Sequence, residues 1–428
     1  MLMIHQPSPS GGTMRLLVTT TGTVVTHALH DSVTIIDGAD ILIEDGVIES
    51  IQASGELVEQ FDANGGARQD LQVLDVGDKS IIPGLIDAHT HLIWDGDRSD
   101  EVGMRLRGMS YQDIAAQGGG IGRTVRATSN ATLDHLQQIG ISRSIIARRS
   151  GTTYLEAKSG YGLETQAELK LIQAAHDTGS VEGLPGTHTT WLGAHAIPDG
   201  DDEDSTVERL LDEQLPAVIA QGLAESVDVF CEPGWFSVES TERIMTNAMS
   251  QGLAGRLHID EFVDGGGAAL AAKLGVVTAD HALKTSREGR VALAEADVIT
   301  GYLPGTPHMM NLDMPEITAT PGPFTIASDF NPNCPSLSLP FAASLAVHRA
   351  GVTPQDALAA VTTTAARSVP RRDGLAHGVL EQGAAGSLNV LSSRSWQGWC
   401  LSPGHDPFRW TVVDGHVTKH ENTIHIVP

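Results

Sequence analysis

Between Ile81 and Ala366 the chain alternates short apolar runs with longer helical stretches, and this alternation restricts the fold more than any other feature. The runs are Ile81-Ile82, Thr152–Leu155, Thr190–Leu192, Val227–Phe230, Leu257–Ile259, Val276-Val277, Val298-Ile299 and Thr325–Ala327. Each is short and rich in β-branched or aliphatic residues, as a strand buried on both faces must be. Helical patterns separate them, for example over 131–147, 166–176 and 206–221. In the last of these, Val207, Leu211, Leu215 and Val218 fall on one helical face, and Pro216 inside the pattern predicts a kink or break. Eight such runs between helices predict a (β/α)8 TIM barrel, an α/β fold. A doubly wound open sheet is the competing architecture, but no GxGxxG follows the first strand. Gly118-Gly119-Gly120 and Gly265-Gly266-Gly267 lack phosphate-loop spacing and read as loops.

The two ends of the chain carry a different signal. Asp45-Gly46 lies between apolar runs in the segment 40–50, and Asp414-Gly415 lies between β-rich runs in 409–418. Asp-Gly between two such runs marks a tight hairpin, because both turn positions need positive φ. With the β-branched segment 16–26, these hairpins predict a small composite β-sandwich domain, built from residues 14–80 and 381–428 around a barrel spanning 81–380. Residues 1–13 read as a loose tail, with Met14 at the start of the fold.

Composition narrows the partners. A net charge of −26 opposes phosphate backbones and anionic lipid surfaces, so neither a nucleic acid nor a membrane is expected as a partner. Three scattered cysteines, Cys231, Cys334 and Cys400, suit neither a disulfide framework nor a thiolate zinc site, and fit a reducing cytoplasm. No transmembrane run or signal peptide is expected. The acidity reads as a solubility or high-salt trait of the outer surface.

Chemistry concentrates at strand ends. His89 and His91, two apart in the segment IIPGLIDAHTHL, share one face of a predicted strand, so both imidazoles can reach one metal ion. His258, in LHIDEF, and Asp329, in TIASDFN, follow later strand-like runs and would stand on the same barrel rim. Three imidazoles and a carboxylate suit Zn²⁺ or Fe²⁺. The acidic run 199–204 lacks calcium-loop spacing and reads as a solvated loop.

With those residues in place, the chain resembles the imidazolonepropionase family of the amidohydrolase superfamily. The likeness runs through PGLIDAHTHL (83–92), GDRSDEVGMRLRGMSYQDIAAQGGGIGRTVRAT (96–128), LEAKSGYGLETQAELKLI (155–172), WLGAHAIP (191–198), DVFCEPGWFSVE (228–239), HIDEFVDGGGA (258–268), ADHALKTSREG (279–289) and DFNPN (329–333). The resemblance implies one Zn²⁺ or Fe²⁺/Fe³⁺ ion per subunit, held by His89, His91, His258 and Asp329. It implies hydrolytic ring opening of a small-molecule substrate, 4-imidazolone-5-propanoate, to N-formimidoyl-L-glutamate in histidine catabolism. It places Arg98, Tyr161, His195, Glu261 and Asn331 at the substrate and His281 at the catalytic centre, and implies a homodimer.

The chemistry agrees with these roles. Opening an amide-type C–N bond needs an activated water, a stabilised oxyanion and a proton for the leaving nitrogen. Asp329 or Glu261 could take the water's proton, and His281 could serve the oxyanion. Arg98 offers a planar fork for the propanoate.

Two positions depart from the family pattern. Asn333 and Cys334, also expected to contact substrate, stand where the family usually has Gly followed by Ser or Thr, which bears on affinity or ring preference. Asn333 is expected to keep a left-handed turn. Gly386-Ser387 replaces a family Ala-Asp and is expected to affect only a turn. Lys158, behind a strand-like run, has the chemistry for a bridging carbamate, but its AKSGYG setting matches a one-metal family. The competing functions are a related amidohydrolase such as a nucleobase deaminase, favoured by the Asn333-Cys334 change, and a metal-free scaffold barrel.

Overall fold

The computed structural model describes residues 14–63, 71–109, 113–114 and 117–420; the expected tail at 1–13 lies outside them. Two eight-stranded sheets organise the chain.

The first sheet is the barrel. Its strands are Leu85–Asp87, Thr152–Lys158, Gly186–Ala194, Ser226–Cys231, Ala254–Ile259, Thr278–His281, Ile299–Tyr302 and Phe324–Ile326. Each pairs in parallel with its neighbour in chain order. Between the first and last strands, contact is made just beyond their C-terminal ends. There Thr90 bridges Phe330, the His91 amide donates to the Phe330 carbonyl (2.9 Å), and the Asp329 amide donates to the His89 carbonyl (3.1 Å).

The helices pack their apolar faces on this sheet. In Val238–Ser250, Ser237 accepts the Ser240 amide as an N-cap, worth about 1 kcal/mol, while Thr241, Ile244, Met245 and Ala248 are buried along one stripe. The break expected at Pro216 is a π-helical turn, Leu210–Gln214, between Glu203–Arg209 and Leu215–Gln221. The acidic run ends as a cap: Asp202 accepts the Ser205 amide at the start of Glu203–Arg209.

The second sheet joins both ends of the chain in one continuously hydrogen-bonded, mixed sheet. Arg15–Leu29, Ser32–Glu44 and Val47–Ala53 pair antiparallel, and so do Leu388–Leu391, Phe408–Val413 and His416–Lys419. Both Asp-Gly turns form as expected, with Asp45 and Asp414 at φ 47 and 46 and their glycines at 83 and 82. Both turns touch Gly386, whose amide donates to the Gly46 carbonyl and whose carbonyl accepts from the Gly415 amide. A Cβ at Gly386 would lie 2.4 Å from the Ile43 side chain. This substitution therefore bears on how the hairpins meet, and not only on a turn.

Ile81-Ile82, expected as the first barrel strand, belongs to this second sheet. Ile81 pairs with Val24 and Val390, and Ile82 with Asn389, so their backbone groups are already taken. The barrel begins instead at Leu85, which moves its first strand next to the HxH pair. Among the described residues no helix is long and apolar enough to cross a membrane.

Candidate active site

His89 and His91 stand just past the first barrel strand, on the seam between that strand and the last one. Alternation along extended chain turns both rings the same way, and both are almost fully buried. His258 comes from the strand Ala254–Ile259, and Asp329 follows Phe324–Ile326. The structure brings these four together. Asp329 Oδ1 lies 3.5 Å from His89 Nε2 and 3.6 Å from His91 Nε2. The His89 and His258 ring centroids are 4.6 Å apart. Donor atoms of His89, His91 and His258 lie within 4.8 Å of one another, as do those of His89, His281 and Asp329.

The donor chemistry fits a cation. His89 Nε2, His258 Nε2 and Asp329 Oδ1 are buried without a hydrogen-bond partner, a costly arrangement unless something binds them. Burial first, then nearby positive or imidazole groups, hold His89, His91 and His281 well below the usual histidine pKa, which favours their neutral form. The opposite ring nitrogen of His89 is anchored, with Nδ1 2.7 Å from Asp280 Oδ2, whereas His258 Nδ1 lies 3.1 Å from Asp228 Oδ2 without forming a hydrogen bond.

Backbone strain gathers here as well. Asp260, His281, Ala282 and Asp329 all have left-handed φ between 46 and 70. Such non-glycine positions cost on the order of 1–3 kcal/mol each and persist where surrounding contacts hold them. Asn333 is not among them; the left-handed residue of the DFNPN segment is Asp329, whose Oδ2 accepts from Thr306.

Above these residues opens a cavity of about 410 Å³. Arg98, Tyr161, His195, Glu261, His281, Asn331 and Asn333 all line it, with His91, His258 and Asp329 at the same wall. Glu261 is buried, and its Oε2 lies 3.8 Å from His281 Nε2. Burial first, and then the Asp329 and Glu232 carboxylates, push the Glu261 pKa well above its ordinary value. Glu232 steadies this loop by accepting the amides of Glu261, Phe262 and Val263. His195 Nδ1 bonds to the Gly160 carbonyl at 2.8 Å, and burial lowers its pKa to about 4.

Arg98 is buried, and its Nε and Nη2 both donate to Glu101 Oε2, at 3.0 and 2.9 Å. Glu101 in turn accepts the Gly120 amide, so the glycine-rich loop helps hold the guanidinium.

Cys334 is the exception among the expected substrate contacts: it does not line the cavity. Its amide is turned onto Asn331, its Sγ faces the Ser328 carbonyl at 3.6 Å, and it is fully buried. Burial raises its thiol pKa to about 12, which leaves it inert as a nucleophile. Trp94 also packs instead of lining the cavity, stacked under the Arg143 guanidinium at 3.9 Å.

Sequence reasoning passed over Arg105, Phe230, Trp235 and Met310 in the cavity wall, and Asp228 and Asp280 behind the histidines. The two aspartates sit in quoted motifs, DVFCE and ADH, so motif membership was the available signal. Arg105 Nη1 donates to Asn333 Oδ1 at 3.3 Å, which gives the unusual Asn333 a partner.

No family model matches the chain. Among curated proteins it is 40% identical over 362 residues to an imidazolonepropionase of Haloarcula marismortui, covering 84% of each chain. It is 37% identical to an imidazolonepropionase of Halobacterium salinarum, covering 92% of this chain and 93% of that one. It is 35% identical to an imidazolonepropionase of Geobacillus thermodenitrificans, covering 96% and 97%. Among solved structures, a guanine deaminase from C. acetobutylicum with bound guanine superposes with a TM-score of 0.67 at 15% identity, over 94% of this chain and 99% of that one. The atrazine chlorohydrolase TrzN of Arthrobacter aurescens, complexed with zinc, gives 0.66 at 17% identity, over 96% and 97%. Likeness at that identity shows the barrel fold alone.

Proposed function

The chain belongs to the imidazolonepropionase family, and from that premise we propose how its residues divide the hydrolysis of 4-imidazolone-5-propanoate. The observation that carries the division is the set of buried, unpartnered donor atoms on His89, His258 and Asp329, of which His258 and Asp329 line the cavity. His89, His91, His258 and Asp329 would hold one zinc or iron ion. When bound, that ion supplies Lewis acidity toward the ring carbonyl and acidifies the attacking water.

The remaining work falls to the chain. The Asp329 carboxylate takes the water's proton. Neutral His281 donates to the oxygen that gains charge as water adds to the carbonyl carbon. Glu261, which lines the cavity beside His281, carries a proton to the ring nitrogen as the C–N bond breaks. Tyr161, His195 and Asn331 close around the ring. Arg98, fixed by Glu101, receives the propanoate on its remaining Nη edge. The family resemblance supports a homodimer as the working form, and the three scattered cysteines support a cytoplasmic setting.

Arg98→Ala tests the orientation of the substrate. KM for the carboxylate-bearing substrate is expected to rise roughly tenfold to a hundredfold, since hydrogen bonds to charged groups are worth about 1.5–3 kcal/mol. KM for a neutral imidazolone should change little. Equal changes for both would remove Arg98 from the carboxylate site, and the ratio cancels any general loosening caused by leaving Glu101 unpaired.

A further inference from the structure

Lys158 is a fully buried lysine at the end of the strand Thr152–Lys158, and the hydrolytic steps above give it no task. Its Nζ lies 2.8 Å from Glu156 Oε1 and 2.6 Å from Asp228 Oδ2. Glu156 is two residues back on the same strand, so both side chains leave the same face. Each of its carboxylate partners leads to a different part of the metal-binding set.

Glu156 leads to the HxH pair. Its Oε2 accepts the amide of Thr90, the residue between His89 and His91, at 3.1 Å. Its carbonyl accepts the Thr90 hydroxyl at 2.6 Å, and the Lys158 amide donates to the Thr90 carbonyl at 3.0 Å. Asp228 leads to the third histidine, because the same Oδ2 that meets Lys158 lies 3.1 Å from His258 Nδ1. One ammonium thus ties the backbone that carries His89 and His91 to the carboxylate behind His258. A carbamate on this nitrogen would bring a third negative charge between two buried carboxylates, so the geometry argues against a bridging role.

We propose that Lys158 is a positioning residue that sets the separation between the His89–His91 pair and His258, and with it the size of the metal site. The proposal rests on the four-residue site described above. The association of donor ligands with buried outer partners typically governs metal affinity by roughly 10- to 100-fold.

The test uses Co²⁺ as a visible-spectrum probe, added to metal-stripped full-length protein in competition with a chelator. Three proteins are compared: wild type, Lys158→Met and the charge-balanced Lys158→Met/Glu156→Gln, whose Gln still accepts the Thr90 amide. Both variants are expected to bind Co²⁺ roughly 10- to 100-fold more weakly, with a shifted absorption spectrum. Reloaded at saturating metal, they should show lower kcat with KM nearly unchanged. Native affinity and spectrum in either folded variant would overturn the proposal. So would recovery of native binding in the double variant alone, since Lys158 would then merely balance charge. If Lys158→Met does not fold, the double variant decides; if that also fails to fold, the lysine serves the barrel and the proposal is wrong. A wild-type chain that takes up no Co²⁺ would instead overturn the four-residue site itself.

Discussion

Glu261→Gln is expected to lower kcat by about 10²- to 10⁴-fold, the usual span for loss of a general acid or base. The carboxylate is buried on the cavity wall, with Oε2 3.8 Å from His281 Nε2, and burial among other carboxylates favours its protonated form. Gln keeps the shape and a hydrogen-bond donor but cannot give up a proton at the leaving nitrogen. Because Glu261 is not among the proposed ligands, bound metal should match wild type, and KM should move far less than kcat. Metal content by elemental analysis with steady-state kinetics checks both halves. Retained turnover would remove Glu261 from proton transfer, while lost metal would make it a ligand.

His258→Ala is expected to remove the metal and bring turnover down by on the order of 10³-fold or more, because no activated water then forms at neutral pH. His258 stands at the end of its strand, with a ring almost fully buried between His89 and Asp228. Removing it takes away one of four donors, and nothing else on that strand can replace it. Asp228 retains Lys158 as a partner, so the carboxylate is not left uncompensated. The fold should survive, and the measurement is metal per chain after dialysis, alongside circular dichroism. A fully metallated His258→Ala protein would mean the ion sits elsewhere, for example on the second grouping of His89, His281 and Asp329.

These expectations rest on features that differ in how far they could be read from the residues. The Asp-Gly hairpins were legible because turn chemistry is local: two positive-φ positions in sequence leave few choices. The metal-binding candidates were legible because each adjoins an apolar run, and strand ends in a barrel converge on one rim. The first barrel strand was misplaced because Ile81-Ile82 and Leu85–Asp87 are both short and apolar. Which run joins which sheet depends on distant partners, here Val24, Asn389 and Val390. The direction of the Cys334 side chain was not legible for a related reason: position in a motif does not give it, and here Sγ faces the Ser328 carbonyl while the residue is absent from the cavity lining. The pairing of Lys158 with Glu156 and Asp228 spans separate strands and leaves no periodic trace. The net charge of −26 is a property of the whole chain and says nothing of the pocket, where Arg98 and Arg105 both line the cavity.

The most direct measurement is turnover of freshly prepared 4-imidazolone-5-propanoate by protein loaded with zinc or iron, followed by loss of ring absorbance and by appearance of N-formimidoyl-L-glutamate. Guanine and cytosine serve as parallel substrates. Ring opening that needs metal, and that leaves both nucleobases untouched, is the predicted result. Fully metallated protein that leaves the imidazolone ring intact while deaminating a nucleobase would contradict the account.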